Sequence, residues 1–253
     1  MSKKSNIKLT IAYDGMNYAG WQRLGRDSDK LSLQGLLESV LTNIMGEEIR
    51  IVGASRTDAT VHAFGQVANF ITNQVVDCTC LKDLINENLP RDIRILECEK
   101  VNLKFHSRYH ATGKLYEYHI DIREVPDVFQ RKYALSIGKT LDIESMRKAA
   151  KKLVGKKDFA GFSSKMIDSR TTVRTIYSVD VEETDQQMLI IRIYGDGFLY
   201  NMIRILVGTL IEIGEGTRSI DSIEENFIKK DRSLAGPTVS GHGLFLCHVY
   251  YGE

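Results

Sequence analysis

The chain has 253 residues, 43% of them hydrophobic and 26% charged, which is the composition of an ordinary globular protein long enough for one large domain or two small ones. Its formal net charge of +1 rules out a global cationic field as the sign of a nucleic-acid partner. The longest apolar-rich stretch, residues 198–213, is interrupted by Asn201, Arg204 and Glu212 and is too short and too polar to span a bilayer. The opening Met1-Ser-Lys-Lys-Ser leads into a strand-like stretch without an apolar signal region, so a cytoplasmic protein with no membrane partner is expected. Cys78 and Cys80 form a C-x-C, and Cys98 and Cys247 stand alone. That spacing predicts free thiols and no metal site.

Taken in chain order, residues 7–13 alternate in the manner of a strand. Leu33, Leu37, Leu41 and their apolar neighbours follow helical spacing, and Gly46 supplies a stop. Residues 49–54 and 65–71 read as strands, the segment around Leu81, Ile85 and Leu89 as a short helix ended by Pro90, and residues 93–101 as another strand. The order β-α-β-β-α-β then recurs. Residues 115–122 alternate, and Asp142 is placed to cap a helix carrying Met146, Ala150 and Leu153. Residues 172–182 and 188–194 form a hairpin around Glu183-Thr-Asp185, residues 199–213 a nearly apolar helix, and residues 244–251 a last strand. The expectation is an α+β protein of two ferredoxin-like βαββαβ halves, residues 1–105 and 106–253, with side-by-side antiparallel sheets.

Three segments carry residue types suited to chemistry. The connection Gly53-Ala-Ser-Arg56-Thr57-Asp58-Ala-Thr60-Val-His62 packs a cation, a hydroxyl and a carboxylate into one loop. Asp58 there reads equally as a turn cap and as a catalytic group. Arg204 sits among aliphatic neighbours, where its charge must either emerge on the open side of a helix or find an anionic partner; Asp58 is one candidate. The run Phe105-His-Ser-Arg108-Tyr, followed by Lys114, Tyr116 and Tyr118, interleaves rings and cations, as RNA binding requires. A half-buried strand accounts for Tyr118 and leaves Tyr116 open. Arg147-Lys148, Lys151-Lys152 and Lys156-Lys157, and again Lys229, Lys230 and Arg232, read as solvated helix faces.

Together these segments resemble the tRNA pseudouridine synthase A family nearly end to end. Tyr13-Asp-Gly-Met-Asn-Tyr18-Ala-Gly-Trp21-Gln22 resembles the pattern Y-D-G-x-x-Y-x-G-W-Q, and Arg56-Thr57-Asp58-Ala-Thr60-Val-His62-Ala resembles R-T-D-A-G-V-H-A. Phe105-His-Ser-Arg108-Tyr with Tyr116-Glu-Tyr118 is similar to F-H-A-R-F and Y-x-Y, and Lys157-Asp-Phe159 with Phe162 to H-D-F-x-x-F. Residues 198–208 resemble F-L-x-x-M-V-R-x-x-V-G, and Ala235-Gly-Pro237-Thr with Gly243-Leu244 the closing A-G-P-T and G-L.

The resemblance implies the pseudouridine synthase fold and conversion of uridine to pseudouridine in the anticodon stem-loop of tRNA, at tRNA positions 38 to 40, without a cofactor. It implies Asp58 as the catalytic carboxylate and Arg204 as the charge that holds it ionised. It places Arg56 in the space vacated by the extruded nucleotide, and Tyr116 against the target base. Thr57, His62 and Arg108 fall in the same motifs and are expected at the substrate. A homodimer that binds RNA with both subunits is implied as well. Thr60 stands where the pattern has glycine, which would permit positive φ or close approach of backbone to RNA. That departure keeps two other readings in view: the same isomerase acting on another RNA such as 23S ribosomal RNA, and an RNA-binding protein without catalysis.

Overall fold

A computed structural model of the chain describes residues 4–25, 31–164 and 171–252. In chain order its elements are β1 (Ser5–Tyr13), α1 (Leu33–Met45), β2 (Val52–Gly53), β3 (His62–Thr72), α2 (Cys78–Asn88), β4 (Ile93–Val101), β5 (Ala111–Asp121), β6 (Leu135–Ser136), α3 (Ile143–Leu153), β7 (Gly155–Asp158), β8 (Val173–Glu183), β9 (Met188–Gly195), α4 (Met202–Gly214), α5 (Ser222–Lys229) and β10 (Leu244–Tyr251). They divide into two compact units, Met1–Thr112 with Phe245–Glu253, and Gly113–Leu244. The division expected from the sequence fell at residue 105 and gave the closing strand to the second half. In the structure that strand pairs in parallel with β3, through Phe245 against His62 and Leu246 against Ala63.

In the first unit, β1 lies antiparallel between β3 and β4. Ile7, Leu9 and Ile11 are fully buried on one face of β1. Lys8 and Thr10 point the other way, to Glu99 at 2.7 Å and Glu97 at 3.0 Å. This is the period of two that the sequence shows. The free edge of β3 is shared by β2, at Ala68 and Asn69, and β10, at His62 and Ala63. The order β4-β1-β3-β2 is that of a ferredoxin-like half. Leu33, Leu37 and Leu41 line the buried stripe of α1, each worth roughly 1.5–3 kcal/mol of burial. Ser32 caps the helix at Gly35 N, and Gly46 ends it at φ +65°.

Residues 49–54 were expected as a strand, and only Val52 and Gly53 form one. The backbone N–H of Ile49 goes instead to Thr42 Oγ1 at 3.0 Å, and that of Ile51 to the buried Glu38 at 3.0 Å. Helix α1 therefore takes the bonds that a neighbouring strand would have made.

The second unit contains the antiparallel run β5-β9-β8-β7, with β6 beside β5. Asp142 caps α3 at Ser145 N, as its position predicts. The hairpin closes from Glu183 to Met188, where Thr184 N bonds Met188 O at 2.8 Å. Every residue of α4 is buried except Arg204 and Glu212. The helix starts at Met202 rather than Leu199, because Asn201 sits in the left-handed region at φ +59°. Tyr200, inside the helix that the apolar run from residue 199 predicts, therefore lies outside it and is exposed. Strand β7 and helix α5 were not foreseen. Gly-Lys-Lys-Asp carries no apolar alternation, and α5 buries only Ile223 and Asn226. Lys156 and Lys157 thus stand on a strand, not a helix face. Among the described residues, no helix is long and apolar enough to cross a membrane.

Candidate active site

The connection between β2 and β3 is held at each step. Ala54 N donates to Val67 O at 2.7 Å. Gln66, with no exposed surface, clamps Ser55 from both sides: its Oε1 accepts from Ser55 N at 3.2 Å and its Nε2 donates to Ser55 O at 2.8 Å. Arg56 then turns outward and is exposed. Thr57 turns inward, where its hydroxyl meets the Tyr13 hydroxyl at 2.7 Å and its carbonyl accepts from Trp21 N at 2.9 Å. Asp58 follows, half-buried, and its carbonyl accepts from Val61 N at 3.3 Å. That bond closes a four-residue turn whose third residue, Thr60, has φ +67°. Positive φ at this place marks a type II turn, which favours glycine. The glycine of the family pattern thus has a conformational reason, and Thr60 adopts the glycine conformation regardless.

Residues 14–21 form the wall behind this loop. A Cβ on Gly15 would stand 2.0 Å from Val61 O, so only glycine fits there. A Cβ on Gly20 would stand 2.7 Å from Thr57 O, and Gly20 itself has φ +101°. The Trp21 indole, 2% exposed, lies where a Cβ on Gly53 would meet Nε1 at 2.4 Å. Asp92 anchors the wall by accepting from the Tyr18 hydroxyl at 2.8 Å. Burial, then the bond and charge of Asp92, push the Tyr18 phenol well above its usual pKa. The sequence motif covering residues 13–22 was legible as a family pattern. Its work as a backing for the Asp58 loop was not, although two glycines at short spacing are the signal of close backbone approach.

His62 is 2% exposed, and its ring stacks on Phe245 at 4.7 Å. Its Nδ1 accepts from Gly15 N at 3.1 Å, which leaves the ring proton on Nε2. Asp14 Oδ1 also lies 3.2 Å from Nδ1, but the buried Gly15 N–H needs that lone pair, and Asp14 Oδ1 accepts a hydrogen bond from Met16 N at 2.9 Å. Thr57 and His62, both expected at the substrate, are buried in the structure and bonded to Tyr13 and Gly15.

Arg108 is exposed on a separate loop of the same unit, between β4 and β5. That loop is pinned by side chains of the sheet. Asn6 Nδ2 donates to the carbonyls of Asn102 and Phe105, Asn69 Oδ1 accepts from Ser107 N at 2.9 Å, and the Tyr251 hydroxyl donates to Ser107 O at 2.8 Å.

Tyr116 and Arg204 belong to the second unit. Tyr116 lies on β5 opposite Ile193, 5% exposed, with the Phe198 ring edge-on at 5.4 Å. Tyr118 is wholly buried and donates to Ser240 O at 2.8 Å, and burial raises its phenol pKa. Arg204 Nε donates to Val239 O at 2.6 Å, and Nη1 to Asn201 Oδ1 at 3.0 Å. The segment that supplies Val239 reaches α4 because a Cβ on Gly208 would stand 2.0 Å from Pro237 O. The structure thus gathers Arg56, Thr57, Asp58 and His62 around one loop, and places Arg108 on another.

The protein-family model described as tRNA pseudouridine synthase matches residues 9–110 and 149–252. "tRNA pseudouridine synthase A" of Acetivibrio thermocellus is 42% identical over 246 residues, covering 97% of this chain and 99% of its own. "tRNA pseudouridine synthase A 2" of Bacillus cereus strain ZK is 41% identical over 98% of this chain and 100% of its own. "tRNA pseudouridine synthase A" of Bacillus sp. strain KSM-64 is 43% identical over 96% and 98%. Among solved structures, the archaeal box H/ACA sRNP Nop10–Cbf5 complex aligns with 90% of this chain and 59% of that one, at 10% identity and a TM-score of 0.37, a likeness too loose to carry any argument.

Proposed function

Because the chain belongs to the tRNA pseudouridine synthase family, we propose that it converts uridine to pseudouridine in the anticodon stem-loop of tRNA, with Asp58 as the catalytic carboxylate. It is an isomerase of the pseudouridine synthase type, and its substrate is RNA. The glycosidic C–N bond breaks, the uracil turns and a C–C bond forms. Atoms and charge are conserved, and no cofactor is assigned.

The observation that supports Asp58 is the bracing of its loop. Gln66, Trp21 and Val61 hold the backbone on either side, Tyr13 meets the Thr57 hydroxyl, and Gly20 closes against the loop. A carboxylate held this way spends little ordering entropy when it meets substrate, whether it attacks ribose or base. Arg56, exposed one turn of chain away, is assigned to the gap left by the extruded nucleotide, where protein contacts must offset a few kcal/mol of unstacking. Thr57 and His62 are assigned to positioning the loop, and Arg108 to a phosphate. Tyr116 and Arg204 are assigned, by resemblance alone, to the target base and to keeping the carboxylate ionised. The working form is taken to be a cytoplasmic homodimer.

Pseudouridine mapping in total RNA, with and without the gene, tests the reading. Loss of modification in the tRNA anticodon stem-loop is expected. Loss confined to ribosomal RNA would transfer the same chemistry to another target, and no change anywhere would remove catalysis. Asp58→Asn is expected to abolish product while RNA binding survives; turnover near that of the parent would refute the role.

A further inference from the structure

We propose that Tyr109 is a stacking platform for an unpaired nucleobase of the RNA, outside the loop that carries Asp58. The proposal rests on the reading that the protein acts on RNA. Tyr109 is 77% exposed, yet its ring is not loose. It stacks on the His106 ring at 4.2 Å with 27° between planes. His106 is itself fixed: its Nδ1 accepts from the backbone N–H of both Arg108 and Tyr109, at 3.2 Å each. His110 N closes the turn on His106 O at 3.1 Å.

Beneath the turn, Phe105 packs on Tyr251 at 5.1 Å, and the Asn6, Asn69 and Tyr251 bonds tie the backbone to the sheet. One face of the tyrosine is thus occupied by a braced imidazole, and the ring as a whole is presented to solvent. A rigid exposed ring loses little entropy when a flat partner lands on it.

The surroundings name the partner. Lys104, Arg108 and His110 are exposed on the same loop, and no carboxylate occurs in the sequence from Val101 to Tyr116. A lysine and an arginine on the loop of an exposed ring, with no acidic residue in that stretch of sequence, suit a base and its flanking phosphates. Every base has a π-face, so the platform tolerates sequence and favours nucleotides that are not paired. Neither Tyr109 nor its brace belongs to the Asp58 loop, so the contact adds affinity without touching the reacting atoms.

The test is direct binding of a full-length tRNA transcript to the complete protein and to Y109F, Y109L and Y109A, at low and at moderate salt. Y109F is expected to bind within about two-fold of the parent, while Y109L and Y109A weaken by roughly ten-fold to a hundred-fold. The ratio between Y109L and the parent is expected to stay the same at both salt concentrations, because stacking releases no counterions. Thermal melts of all four proteins check that the turn stays folded. Binding by Y109L and Y109A as tight as the parent's would overturn the proposal. So would a loss of affinity that tracks a dimer-to-monomer shift, which would mean that the ring covers a second copy of the chain. Failure of the parent protein to bind RNA at all would instead overturn the reading on which the proposal rests.

Discussion

Gly20 touches the backbone of Asp58 so closely that a Cβ on it would lie 3.0 Å from the Asp58 carbonyl carbon, as well as 2.7 Å from Thr57 O. Backbone atoms cannot yield as a flexible side chain does, so a methyl at this position must push the loop that carries Asp58. Gly20 also has φ +101°, a conformation that costs an L-residue of order 1–3 kcal/mol. Gly20→Ala is therefore expected to lower kcat by about 100-fold, the penalty for misplacing a reacting group by about 1 Å. RNA affinity should change much less. Single-turnover rates and binding constants, measured side by side, check this. An unchanged single-turnover rate would show that the loop has slack.

Thr60 presents the opposite case, a side chain where the backbone favours none. Left-handed φ costs a residue with a Cβ roughly 1–2 kcal/mol, more for a β-branched one, whereas glycine costs about 0.5–1 kcal/mol through the freedom of its unfolded chain. The first exceeds the second. Thr60→Gly should raise stability by up to ~1 kcal/mol, and the urea midpoint measures it. A lower midpoint would mean that the threonine side chain makes contacts worth more than the strain.

The same position shows how much could be read without coordinates. A glycine in the family pattern left positive φ and a close approach to RNA open at residue 60, and the turn from Asp58 to Val61 has the positive φ. Helices α1 and α3 were legible because apolar spacing agrees with the stop at Gly46 and the cap at Asp142. The short β2 was not, since Glu38 and Thr42 satisfy the backbone of residues 49–51 from a helix already counted. Nor was the burial of Thr57 and His62. Their partners, Tyr13 and Gly15, are 44 and 47 residues away, and no local pattern reports contacts at that range.

Asp121 offers a test of the second unit that leaves the site alone. Its carboxylate is fully buried and accepts from Arg123 Nε and Nη2 at 2.8 Å each, and from Asp127 N at 2.9 Å. The Arg123 bonds hold its pKa below the usual value. A depressed folded pKa contributes stability above the unfolded value, and that stability is lost as pH falls through the folded one. Asp121→Asn should cost about 1.5–3 kcal/mol at neutral pH, the range for hydrogen bonds to a charged group. The gap between variant and parent should hold down to about pH 5 and narrow below about pH 4, where the parent's own carboxylate begins to protonate. Urea midpoints across that range check it, and a gap independent of pH would assign the loss to packing.

RNA binding by a chain of net charge +1 must draw on local clusters rather than on a global field. Each phosphate neutralised releases counterions, so the logarithm of the binding constant falls linearly with that of salt concentration, by about 0.7 to 0.9 per contact. Arg108 and Lys104 are exposed on a loop whose backbone is fixed by Asn6, Asn69 and Asn102, which makes them fit to meet phosphates without further ordering. Arg108→Gln should weaken binding at low salt and flatten the salt slope by roughly one contact. Lys104→Gln should do the same, and the double variant by roughly two. Lys229→Gln serves as the control, because that lysine is held in an exposed helix pair with Glu225 and should leave the slope unchanged. If the loop variants keep the parent's slope, the phosphates are bound elsewhere and the loop's cations make no phosphate contact.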